Sequence, residues 1–103
     1  MNAEIYKLGE SLDSSNSNSE QENILKVFDK GSSVVIDMTD CTYVSSAGLR
    51  VLLYSLKMAG SKGLKVYLVG VCEEVRDVMN MTGFEKYFDI FNTVEECQKS
   101  IEG

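Results

Sequence analysis

The chain has 103 residues, enough for one small domain over 1–103 with a core of its own and too few for two. With 44% apolar residues it can bury that core without staples. A formal charge of −6 argues against nucleic acid as a partner, since phosphate binding needs a basic patch, and makes a basic protein surface the more natural one.

The elements follow in chain order. "EIYKL", Glu4 to Leu8, carries residues that suit a pleated surface and reads as a short strand. "GESLDSSNSNSEQ" is polar and rich in Ser and Asn, and reads as a loop. Ser19 and Glu22 have capping-box spacing, which predicts a helix starting near Glu20. Ile24, Leu25, Val27 and Phe28 form its apolar stripe, and Gly31 is its expected C-cap.

"SVVIDM", Ser33 to Met38, is a continuous apolar run, as expected of a strand buried on both faces among parallel neighbours. Thr39 to Tyr43 connects it to a helix from Ser46 to about Ala59, with Leu49, Leu52, Leu53 and Leu56 on one face. "GSKG", Gly60 to Gly63, stops that helix. "LKVYLVGV", Leu64 to Val71, is a second core strand. Glu73 to Met81 is a short helix with Val75, Val78 and Met79 inward, ended by Gly83. "FDIF", Phe88 to Phe91, is a brief strand. Thr93 and Glu96 repeat the capping-box spacing before a last helix with Val94, Cys97 and Ile101 inward. Such alternation predicts an α/β fold: a mixed, mostly parallel sheet of about four strands packed with about four helices.

Reactive chemistry has few candidates. Cys41, Cys72 and Cys97 are odd in number and lack CxxC spacing, which fits a reducing cytosol. No histidine is present to complete a metal site or to serve as base for a serine or cysteine nucleophile. No metal and no cofactor are therefore expected. The N-terminus "MNAEIYKLGE" lacks the basic and apolar segments of a signal peptide. No apolar run approaches the roughly 20 residues of a membrane span. The expected location is the cytoplasm, with no membrane or nucleic-acid partner. Met58, Met79 and Met81 read as core filler, and the cysteines as small core residues. Asp37 and Asp40, flanking a strand end, suit turn hydrogen bonds.

The stretch "VVIDMTDCTYVSSAGLRVLL" is the most informative. Ser45 and Ser46 stand where a connection meets a helix start. Either could cap the helix, a role worth about 1 kcal/mol over Ala. A hydroxyl there also lies at the positive end of the helix dipole, where a phosphate is tolerated without melting the fold. Gly48 allows close backbone approach at a cost of roughly 1 kcal/mol of helix propensity.

Together with "LKVYLVGVCEEVRDVMNMTGFEKYFDIFNTVEE", this stretch resembles the STAS domain, the family of bacterial anti-sigma factor antagonists. The resemblance covers Ser33 to Ile101, and "LGESLD" looks like the family's Gly-x-x-x-Asp turn. The family motif reads Asp-Ser-[Ser/Thr/Ala]-Gly-Leu, with the Ser as phosphate acceptor. On this chain Ser45 takes the Asp place, Ser46 the acceptor place, and Ala47, Gly48 and Leu49 the rest. The resemblance implies a non-enzymatic switch protein. It would bind an anti-sigma factor that is also a serine kinase, be released when Ser46 (or, less favoured, Ser45) is phosphorylated, and be reset by a serine phosphatase. Asp13, Ser45, Ser46, Ala47, Gly48, Leu49 and Arg50 would form the partner-binding surface. Two other functions fit parts of the pattern. Ser45 in place of Asp suits a STAS adaptor or scaffold, used without phosphorylation in a signalling or transport assembly. A small serine or cysteine hydrolase is opposed by the lack of histidine and by a chain too short to enclose a deep pocket.

Overall fold

A computed structural model describes residues 3–102; Met1, Asn2 and Gly103, the ends of the predicted domain, lie outside the described residues. The elements are β1 (Ala3–Lys7), β2 (Ser11–Leu12), α1 (Ser17–Asp29), β3 (Ser33–Asp37), β4 (Tyr43–Val44), α2 (Ser46–Ser61), β5 (Val66–Val69), α3 (Glu73–Thr82), a 3₁₀ turn (Glu85–Tyr87), β6 (Asp89–Phe91) and α4 (Val94–Glu102).

The main sheet has the order β1-β3-β5-β6. Every pairing among the described residues is parallel, so the expected mixture contains no antiparallel pair. Parallel neighbours must be joined by crossovers, and a helix supplies each one. The alternation of strand side chains then assigns the two faces. Val34, Ile36, Val66 and Leu68 pack with Ile24, Phe28, Leu52 and Met79 from α1, α2 and α3. Val35, Tyr67 and Val69 point the other way, onto Cys97, Val94 and Ile101 of α4. Both faces of β3 and β5 are covered, which explains why the β3 stretch reads as a continuous apolar run.

Helix α1 departs from its predicted start. It begins at Ser17, three residues before Glu20, and takes in part of the predicted loop. The Ser19 hydroxyl does not cap; it donates to the Asn16 carbonyl at 3.0 Å. The turn before it starts the helix instead. The Asp13 carboxylate accepts from the Ser15 N–H at 2.9 Å, and the Asp13 carbonyl accepts the Ser17 N–H at 2.8 Å. The helix ends at Asp29 with Lys30 as its C-cap, one residue before the expected Gly31, whose left-handed φ of 79° closes the turn as its N–H reaches the Phe28 carbonyl at 2.8 Å.

The rest of that loop forms a small second sheet. Strand β2 pairs in parallel with β4, Ser11 opposite Tyr43 and Leu12 opposite Val44. Four buried residues at this end, Leu8, Leu12, Met38 and Cys41, join it to the main core.

Two side chains predicted to face inward do not. Val78 is 40% exposed and Met81 85% exposed. At about 100° per residue, Met81 lies nearly opposite the buried Met79. Met79 is core filler as expected, Met58 is half-buried, Cys41 and Cys97 are buried, and Cys72 is half-buried. Asp37 accepts hydrogen bonds from the Thr39 N–H and hydroxyl, the expected turn role, while Asp40 pairs with Lys7 at 3.1 Å.

Candidate docking and modification site

The site is built where α2 starts. Strand β4 delivers Ser45 in an extended conformation, φ −82° and ψ 176°, which suits an N-cap. Its N–H donates to the Leu12 carbonyl at 3.0 Å, continuing the β2–β4 ladder. Its hydroxyl oxygen accepts the Gly48 N–H at 3.2 Å. Its carbonyl accepts the Leu49 N–H at 2.9 Å. Three groups of Ser45 are therefore committed to holding the helix on the small sheet.

Ser46 differs in every respect. It is the first residue of α2 and is exposed, and its hydroxyl has no hydrogen-bond partner among the described residues. The first N–H groups of a helix lack partners in the preceding turn, so a negative group at Ser46 meets a favourable field.

Gly48 and Leu49 are buried. Neither offers a side-chain surface to a partner; their task lies beneath the site. A Cβ at Gly48 would come within 2.9 Å of both the Leu12 carbonyl carbon and Val44 Cγ1. The close approach expected of this glycine is thus to the protein's own β2 and β4. Ala47 is half-buried and Arg50 is exposed. Both border a groove of about 180 Å³ between α1 and α2, lined also by Ser17, Asn18, Gln21 and Val51.

Asp13 follows β2 as Ser45 follows β4, so the parallel register brings them to the same end of the small sheet. Its carboxylate accepts from the Ser15 hydroxyl at 2.6 Å and the Ser11 hydroxyl at 3.0 Å. The hydrogen bonds from Ser15, with that from Ser11, hold its pKa below the ordinary Asp value. An ionised carboxylate thus stands at this end of the sheet, although the motif itself carries none.

Sequence reasoning missed one flank. Thr42, Tyr43, Val44, Glu74, Val75 and Val78 line a groove of about 110 Å³ between β4 and α3. Tyr43 is 57% exposed there. Its signal was present but faint: Val78 lies at the edge of the α3 stripe, and a two-residue strand is too short to show alternation.

Cysteine chemistry finds no support at this site. Burial pushes the Cys41 and Cys97 thiols up, away from the reactive thiolate. Among the described residues no cluster of acidic or cysteine side chains could hold a metal ion, and no helix is long and apolar enough to cross a membrane.

A strand-to-helix junction with a capping Ser45, an exposed Ser46 and a buried Gly48-Leu49 pair, on a parallel sheet, is what the motif demands. The family model for the STAS domain matches residues 2–97. The chain belongs to the STAS family. BtrV of Bordetella bronchiseptica, named as a candidate anti-sigma factor antagonist, is 32% identical over 85 residues, covering 82% of this chain and 73% of BtrV. A candidate anti-sigma factor antagonist from Thermotoga maritima shares the fold with a TM-score of 0.88 at 21% identity, covering 98% of this STAS chain and 88% of the other. The unphosphorylated anti-sigma factor antagonist SpoIIAA superposes with a TM-score of 0.84 at 16% identity, covering 99% of this chain and 90% of SpoIIAA. The phosphorylated form of Bacillus SpoIIAA superposes with a TM-score of 0.74 at 15% identity over 96% and 90% of the two chains.

Proposed function

We propose that this STAS protein is an anti-sigma factor antagonist switched off by phosphorylation of Ser46. In this reading the unmodified protein docks on an anti-sigma factor that is also a serine kinase, and so frees the sigma factor. The Ser46 oxygen attacks the γ-phosphorus of ATP held with Mg²⁺ on the kinase. The bond to the β,γ-bridging oxygen breaks, ADP leaves, and the hydroxyl proton passes to a base of the kinase. The phosphorylated protein lets go, and a serine phosphatase restores the hydroxyl. The protein acts as a substrate and regulator, and not as an enzyme. The reading assigns it to the cytoplasm, where sigma factors work.

The observation that carries this reading is the division of labour between the two serines. The Ser45 hydroxyl is committed to the Gly48 N–H, while that of Ser46 is exposed and has no hydrogen-bond partner among the described residues. Modifying Ser46 breaks no hydrogen bond of the fold. The name of BtrV supports the antagonist role, and SpoIIAA, solved with and without phosphate, agrees with a phosphorylated member of this fold. Ser45, Ser46, Ala47 and Arg50 supply the upper part of the docking surface, Asp13 borders it, and Gly48 and Leu49 shape it from below. The groove beside Tyr43 and Val78 extends it.

One observation favours the adaptor reading instead: a capping Ser45 stands at the place of the motif's Asp, so no carboxylate adjoins the acceptor in sequence. Incubation with the partner kinase, ATP and Mg²⁺, followed by peptide mass spectrometry, decides between the two. Phosphate on Ser46, absent in Ser46→Ala, is the expected result. A complex that forms without phosphate transfer would make the protein an adaptor.

A further inference from the structure

Arg50 is the one charged residue lining the groove between α1 and α2. It is exposed, and among the described residues it has no ion pair or hydrogen bond. Among the described residues, the acids that pair with cations, Glu4, Asp29, Asp40 and Glu85, pair with Lys30, Lys62, Lys7 and Arg76 and not with Arg50. Arg50 follows Ser46 by four residues on the same helix. Residues so spaced are neighbours on one face, and helical side chains lean toward the N-terminus. The Arg50 guanidinium is therefore biased back toward Ser46. An anion at the earlier position and a cation four residues on is the favoured order for such a pair.

We infer that Arg50 reads the phosphate within the chain: once Ser46 is phosphorylated, the guanidinium donates to the phosphoryl oxygens and is withdrawn from the docking surface. The inference rests on Ser46 as the modified residue. It adds a second effect to the switch. Phosphorylation both places a dianion on the docking surface and removes the free cation that the unmodified surface offers to an acidic group of the partner. Guanidinium suits the task because its planar fork can donate two parallel hydrogen bonds to one phosphate.

The test needs no kinase. Phosphoserine is installed at Ser46 during synthesis of the full chain, and the phosphate is titrated by phosphorus NMR in the parent and in Arg50→Gln and Arg50→Lys variants. A cation beside the phosphate favours the dianion and lowers its second pKa. The expected result is an upward shift of about 0.5 unit in Arg50→Gln, most of it restored in Arg50→Lys. The helix terminus is common to all three proteins and cancels from the difference. Equal titrations in the parent and in Arg50→Gln would overturn the inference. Failure of a kinase to label Ser46 would instead overturn the phosphorylation switch, and would leave the titration result unchanged.

Discussion

Ser45 and Ser46 carry the same hydroxyl one residue apart, and backbone geometry separates their tasks. The extended torsions of Ser45 turn its oxygen onto the first helical turn, where it meets the Gly48 N–H. Ser46 already belongs to the helix, so its side chain points away from that turn and into solvent. Ser45→Ala should lower unfolding stability by about 1 kcal/mol in urea titration, because the Gly48 N–H loses its acceptor. Ser46→Ala should stay within about 0.5 kcal/mol of the parent. The opposite ranking would mean that the two serines exchange roles. The capping of Ser45 and the place of Ser46 were legible in "SSAGL", since small polar residues before an apolar stripe mark a helix start. The lowered pKa of Asp13 was not, because it depends on Ser15 and Ser11 closing around the carboxylate in a turn that composition alone labels as loop.

At the scale of elements, α2 sits unusually close to the small sheet. Its buried face begins at Gly48, directly over the Leu12 carbonyl and Val44. Replacing a helical glycine with alanine ordinarily stabilises, by up to about 1 kcal/mol in a helix interior. Here the added carbon overlaps the β2 backbone, which cannot yield as a side-chain end could, and overpacking costs about 1–3 kcal/mol. Gly48→Ala should therefore destabilise rather than stabilise, read as a lower urea midpoint; a raised midpoint would show that α2 can lift off the sheet freely. The large elements were legible because β3 and β5 are covered on both faces and α2 carries a clean apolar stripe. The β2–β4 pair was not. Two residues per strand give no periodicity, and their pairing depends on Glu10 and Leu12 meeting Thr42 and Ser45 from distant parts of the chain. The start of α1 was missed for a related reason: the spacing of Ser19 and Glu22 fits a capping box, but the Asp13–Asn16 turn had already started the helix.

At the scale of the whole molecule, the parallel sheet collects the site at one end. The connections after β2 and β4 lie at the same end of the small sheet, which brings Asp13, Ser45 and Ser46 together although as many as 33 positions separate them in sequence. The proposed switch requires no change in the fold. The acceptor hydroxyl is exposed, and the residues that lock α2 in place are buried beneath it. In the proposed switch, control acts through the docking surface, where a phosphate on Ser46 would add negative charge to a chain that already carries −6. The measurement that tests this most directly is the affinity of the anti-sigma partner for two forms of the protein, one with the Ser46 hydroxyl and one with phosphoserine at that position, by titration calorimetry at matched salt. The account predicts binding weakened at least about 10-fold by the phosphate, with the thermal unfolding of the two forms nearly equal. Equal affinities would contradict it.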